Sequence, residues 1–209
     1  AGPAKIALIE RAGADLVVVE GAYANALEAA CAYEAETGAM QIHAYDAATT
    51  VVGQGTLMAE WEEQGLKADT VLIAVGGGGL IAGALASLQG QRKVVAVESQ
   101  GCNTLHAARV AGEPVDIQPA GMAANALGAR RIGEICFDLS MAQDVQSLLV
   151  SDEAITAAQA MLWHEARQLV EPAGAAAMAA LMSGAYRPAP EERVAVLICG
   201  ANAAPAPFG

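Results

Sequence analysis

Residues 71–85 run as an apolar strand from Val71 to Val75, break into four consecutive glycines, Gly76 to Gly79, and resume as a helix-forming stretch from Leu80 to Leu85. Few chains can bury such a segment except as strand, tight loop and helix of an α/β sheet. Without Cβ atoms the loop can turn sharply and aim several N–H groups at one point. The positive end of the following helix adds favourable potential for an anion. Phosphate binding is the reading this chemistry favours. A dinucleotide site is a second one, because Gly77-x-Gly79-x-x-Ala82 satisfies the short fingerprint and Glu98 ends the next strand. A purely structural turn is the third. The segment from Val71 to Leu88 is uncharged, and Gly79 and Gly83 carry helix-pairing spacing, but four adjacent glycines are poor material for a membrane-spanning helix.

Strand and helix signals alternate along the rest of the chain. Helices are expected over Ile6–Arg11, Tyr23–Thr37, from Gly53 to about Gly65, around Leu105 and His106, over Asn125–Glu134, from Ser151 to about Val170, and from Pro172 to about Ser183. Strands are expected over Asp15–Glu20, Met40–His43, Val71–Val75, Lys93–Glu98, Val145–Val150 and Val194–Ile198. Ala203 to Gly209 reads as a frayed tail. Such alternation predicts an α/β fold with a doubly wound, mostly parallel sheet.

Composition narrows the function classes. The 209 residues are 55% hydrophobic and 16% charged, with a formal net charge of −12. Nucleic-acid and anionic-membrane partners are not expected, since both need basic clusters. Cys31, Cys102, Cys136 and Cys199 form no CxxC pair or zinc spacing, so reduced thiols in a cytoplasm are expected; Ala1–Lys5 lack a secretory-leader pattern, and secretion is not expected. His43, His106 and His164 are too isolated to propose as ligands or bases.

Several motifs follow one another across nearly the whole chain. They are Gly53-Gln54-Gly55-Thr56, the loop Gly76–Gly79 with Leu80 to Gly83, Val97-Glu98, Leu127 to Gly133, Leu149 to Ile155, Val170 to Ala176, and Cys199-Gly200-Ala201-Asn202. This series resembles the fold-type II pyridoxal-phosphate enzymes, specifically the serine/threonine dehydratase and serine racemase group. The resemblance implies a tryptophan synthase β-like fold, with residues 1–45 as the C-terminal part of a small domain and 46–209 as a large domain carrying the cofactor phosphate loop. It implies that Gly76, Gly77, Gly78, Gly79 and Leu80 hold the phosphate of pyridoxal 5'-phosphate. Cys199 would face the pyridine nitrogen, Glu171 would lie near the ring, and Tyr45 would line the pocket.

The implied activity is ammonia-lyase chemistry on L-threonine or L-serine, with a small amino acid as the partner molecule and a homodimer as the assembly. An amino-acid racemase, a non-catalytic remnant of the fold and, more distantly, a nicotinamide-dependent oxidoreductase are the alternatives. The family's Schiff-base lysine and the Ser-x-Gly-Asn loop match nothing here. Lys5, Lys67 and Lys93 lack the required context, so no catalytic residue is assigned, about a hundred preceding residues are expected, and the chain alone is expected not to turn over. In racemase-like relatives a divalent cation binds near the position of Glu98, whereas Thr104 stands here where a carboxylate is expected. Asn125-Ala126 and Ala203-Ala204 replace the Asp-Ser and Thr-Asp common in close relatives.

Overall fold

The computed structural model describes residues 3–20 and 23–202. The chain forms two compact units, Ala1–Ile42 and His43–Gly209. In the first, α1 (Pro3–Arg11) and α2 (Tyr23–Thr37) are the regular elements. The strands expected at 15–20 and 40–43 are not formed. A strand exists only where a ladder pairs its backbone, and no described residue pairs with either segment. Their apolar side chains stand in the open, with Val17 80% and Met40 82% exposed.

The second unit continues with α3 (Ala48–Glu63), β1 (Thr70–Ala74), α4 (Gly79–Leu88), β2 (Lys93–Ser99), α5 (Thr104–Ala111) and α6 (Ala124–Leu127). It closes with α7 (Glu134–Ala142), β3 (Gln146–Val150), α8 (Asp152–Ala166), α9 (Pro172–Met182) and β4 (Val194–Val196). The strands form one parallel sheet in the order β3-β2-β1-β4. Every residue of β1 is buried, as a strand covered on both faces requires. Its alternation serves two cores. Leu72 and Ala74 join Val95, Val97 and the α8–α9 side chains on one face. Val71, Ile73 and Val75 join Val94, Ala96 and residues of α3, α4, α5 and α7 on the other. Each large aliphatic so buried contributes roughly 1.5–3 kcal/mol.

Some element boundaries differ from expectation. The helix expected from Gly53 begins five residues earlier, at Ala48, which carries the glycines into its interior. There Gly55 faces Gly83 of α4. A Cβ on Gly83 would lie 2.5 Å from the Gly55 nitrogen, so the two backbones touch directly and the spacing that resembled a membrane motif serves a close contact between α3 and α4. No helix among the described residues is long and apolar enough to cross a membrane. The single helix expected over 125–134 is two, α6 and α7, separated where Gly128 leaves helical geometry and Gly133 is extended. The helix expected to reach Val170 stops at Ala166, with Arg167 left-handed. The expected start at Ser151 is present, its hydroxyl accepting the Ala154 N–H at 3.2 Å. The tail from Ala203 lies outside the described residues.

Candidate active site

A cleft of about 280 Å³ opens at the carboxyl end of β1. It is lined by Gly76, Gly77, Gly78, Gly79, Leu80, Cys199, Tyr45, Gln54, Leu127 and neighbouring alanines. Sequence residues more than 120 positions apart meet here because the ends of parallel strands open on one edge of the sheet. Ala82 is the first amide of α4 to find a carbonyl, Gly78 O at 2.9 Å. The N–H groups of Gly79, Leu80 and Ile81 therefore have no acceptor within the helix, and the dipole's positive end lies on the cleft wall.

The glycines are required by space and by conformation. A Cβ on Gly77 would overlap the Tyr45 ring. Gly78 has φ +94°, and a Cβ there would lie 2.6 Å from Cys136 Cβ and 2.8 Å from Ile132 Cδ1. Tyr45 is held in turn: its ring meets that of His43 edge-on at 4.9 Å, and its hydroxyl donates to the Arg131 carbonyl at 3.3 Å. His43 Nδ1 accepts the Asp46 N–H at 2.8 Å. Asp46 then caps α7, accepting from the Glu134 and Ile135 amides at 3.1 and 3.2 Å. This brace crosses some 88 residues of sequence, and nothing in the local pattern signals it.

Cys199 follows β4 and stands on the same cleft. Burial, and then the negative charge of Glu171, push its thiol above the ordinary value, so it is neutral. Glu171 itself is not among the residues lining the cleft. It sits at the start of α9, its N–H donating to the Gly200 carbonyl at 3.1 Å, and a Cβ on Gly200 would run into its carboxylate. Gln54, which lines the cleft from α3, is a polar group the motif Gly53-Gln54-Gly55-Thr56 contained but whose amide received no role.

Glu98 decides between the readings of the loop. It is fully buried and turned toward α5, where Oε1 accepts the Leu105 N–H and Oε2 the His106 N–H, both at 2.8 Å. Ser147 Oγ lies 3.4 Å from Oε2. Burial raises its pKa to about 7 against these hydrogen bonds. A carboxylate committed to the start of a helix does not present itself to a ribose, and the dinucleotide reading loses its acid. No cluster of three or more His, Cys, Asp or Glu side chains that could hold a metal ion is found among the described residues.

The donor set on the cleft suits a phosphate monoester: a helix start whose first amides have no acceptor within the helix, preceded by a loop of glycines packed too closely for side chains. The lining includes no lysine or arginine. Lys67 precedes β1, and Lys93, the first residue of β2, donates to the Tyr186 hydroxyl at 3.2 Å. Both stand at the opposite end of the sheet from the loop. The side chain of Lys5 lies outside the described residues.

Comparison with known proteins agrees with this geometry. The phenylserine dehydratase of Ralstonia pickettii is 34% identical over 211 residues, which is 100% of this chain and 64% of that protein. The biosynthetic L-threonine dehydratase of Escherichia coli is 37% identical over 162 residues, 76% of this chain and 32% of that one. The chain thus spans less than two thirds of the length of these relatives. Among solved structures, a threonine deaminase from T.th. superposes with a TM-score of 0.86 at 31% identity, covering 98% of this chain and 68% of that chain. Maize serine racemase shares the fold with a TM-score of 0.89 at 24% identity, covering 97% and 64%. A sequence model of the family described as "Pyridoxal-phosphate dependent enzyme" matches residues 1–200, and the chain belongs to that family.

Proposed function

We propose that this chain is the cofactor-cradling part of a pyridoxal-phosphate-dependent dehydratase acting on L-threonine, L-serine or a related 3-hydroxy amino acid. The observation that carries the reading is the open helix start of α4 facing one cleft with a neutral cysteine. Gly76 to Gly79 and the Leu80 amide hold the cofactor phosphate, with the α4 dipole supplying the attraction that lysine or arginine supplies elsewhere. When bound, the cofactor provides an electron-withdrawing ring that weakens the bonds at an amino acid's α-carbon. Cys199, on the cleft wall, would face the ring nitrogen and, being neutral, would impose no proton on it. That suits loss of a β-hydroxyl: one water leaves, and a water then adds back to hydrolyse the released enamine to a 2-oxo acid and ammonia. Tyr45 and Leu127 wall the cleft, and burial, followed by the charge of Glu171, keeps the Cys199 thiol protonated.

Neither Lys67 nor Lys93 is placed to hold the cofactor covalently. The 209 residues alone are expected to bind its phosphate end without turnover. A cytoplasmic location and a homodimer belong to the same reading, and sedimentation of the native protein checks the second.

The deciding experiment incubates the native protein, loaded with pyridoxal phosphate, with L-threonine, L-serine and phenylserine. Ammonia and 2-oxo acid formed in equal amounts are expected. Formation of the D-isomer without ammonia would replace the dehydratase by a racemase. Absence of a cofactor chromophore, with neither product, would refute the enzyme reading.

A further inference from the structure

We infer that Thr104 is a positioning residue for the phosphate cradle, and that its hydroxyl sets the direction of the first loop amide without help from a cation. The inference rests on the assignment of Gly76–Leu80 as the phosphate-holding loop. In a trans peptide the carbonyl and the following N–H point opposite ways. Thr104 Oγ1 donates to the Gly76 carbonyl at 2.6 Å, so the Gly77 N–H of the same peptide plane is turned away from Thr104. The Gly77 carbonyl is tied in the same manner, accepting the Gly133 N–H at 3.0 Å, which turns the Gly78 N–H away from Gly133. Thr104 is fully buried, and neither it nor Gly133 lines the cleft, whereas Gly76 to Leu80 do. Both ties thus come from residues outside the cleft lining, and each turns the following amide away from them.

Four successive glycines make such ties necessary, because a glycine peptide can rotate at little steric cost. Thr104 is itself anchored. It is the first residue of α5, and Glu98 at the end of β2 grips the next two amides at 2.8 Å each. The line of force runs from the strand beside β1, through a buried carboxylate and a helix start, to the first glycine of the loop. Both Glu98 oxygens accept backbone N–H groups, so the anchor is made by protein donors.

The test uses the native protein and compares its affinity for pyridoxal phosphate with that for pyridoxal, which lacks the phosphate. Thr104→Val, nearly equal in shape but without the hydroxyl, should weaken pyridoxal phosphate binding about tenfold, as expected for one buried hydrogen bond left unmade. Pyridoxal binding should stay within about twofold. Thr104→Ser should restore the parental value, and Thr104→Cys, a weaker donor, should fall between, so the graded pair tests the idea even if the valine variant does not fold. Affinity of the parent should be the same after chelation and with added magnesium or calcium. Equal loss for both ligands, no loss in the valine and cysteine variants, or a requirement for added cation would overturn the inference. A parent that binds both ligands equally would instead sink the phosphate-loop assignment beneath it, and the inference with it.

Discussion

The contact between Gly77 and Tyr45 yields a prediction with two separable parts. An alanine at position 77 would set its Cβ against three atoms of the Tyr45 ring, with Cε1 at 2.6 Å, where carbon pairs prefer about 3.5–4.0 Å. The ring must move by about 1 Å to reach even a tight contact. That motion disturbs its edge-on packing with His43 and its hydrogen bond to the Arg131 carbonyl. Overpacking of this kind costs roughly 1–3 kcal/mol, and the loosened aromatic pair and hydrogen bond add about 1 kcal/mol. Gly77→Ala should therefore destabilise the protein by about 2–4 kcal/mol in urea unfolding. Tyr45→Ala removes all three opposing atoms. In that background the glycine substitution should cost under about 1 kcal/mol, giving a strongly non-additive double-mutant cycle. If the two substitutions add to within about 0.5 kcal/mol, the ring is not what excludes a side chain from position 77, and the steric reason for a glycine there is wrong.

Two further outcomes follow from single residues. Glu98 titrates near 7 in the folded chain against an ordinary value near 4.5, so the folded state keeps this proton to higher pH than the unfolded state does. Its contribution is present below about pH 4.5 and is lost as pH rises through 7, by about 3 kcal/mol in all. The stability difference between parent and Glu98→Gln should shrink by that amount across the window, and a flat difference would refute the raised titration. Ser151→Ala removes the hydroxyl that accepts the Ala154 N–H and should cost about 1 kcal/mol in thermal or denaturant unfolding. Ser151→Asn should recover most of it.

Much of the site was legible because its chemistry is local. Gly76 to Gly79 are adjacent, the strand before them and the helix after them have unmistakable patterns, and Cys199 ends an apolar run. Tyr45 could be placed only through the family resemblance. Glu98 shows the limit: at the end of a strand, beyond a glycine-rich loop, it also fitted a second reading as a ribose-binding acid. Only the direction of its side chain, inward to the amides of Leu105 and His106, removed that role. Thr104 stood out as a missing carboxylate, and its bond to the Gly76 carbonyl, 28 residues away, has no sequence signature.

The sequence by itself determined the alternation of strand and helix, the loop of four residues without Cβ atoms between a strand and a helix, the cap at Ser151 and the family. Each depends on neighbours in the chain or on a long ordered series of motifs. The tertiary structure decided what depends on partners far apart in sequence. Asp15–Glu20 has strand-forming residues but no ladder to join, and the helix expected over 125–134 divides between α6 and α7. The loop carbonyls are tied from α5 and from Gly133, and the thiol of Cys199 is set by burial and by Glu171. Hydrogen-bond direction and desolvation are properties of the assembled environment, whereas periodicity and steric freedom are carried by the residues themselves.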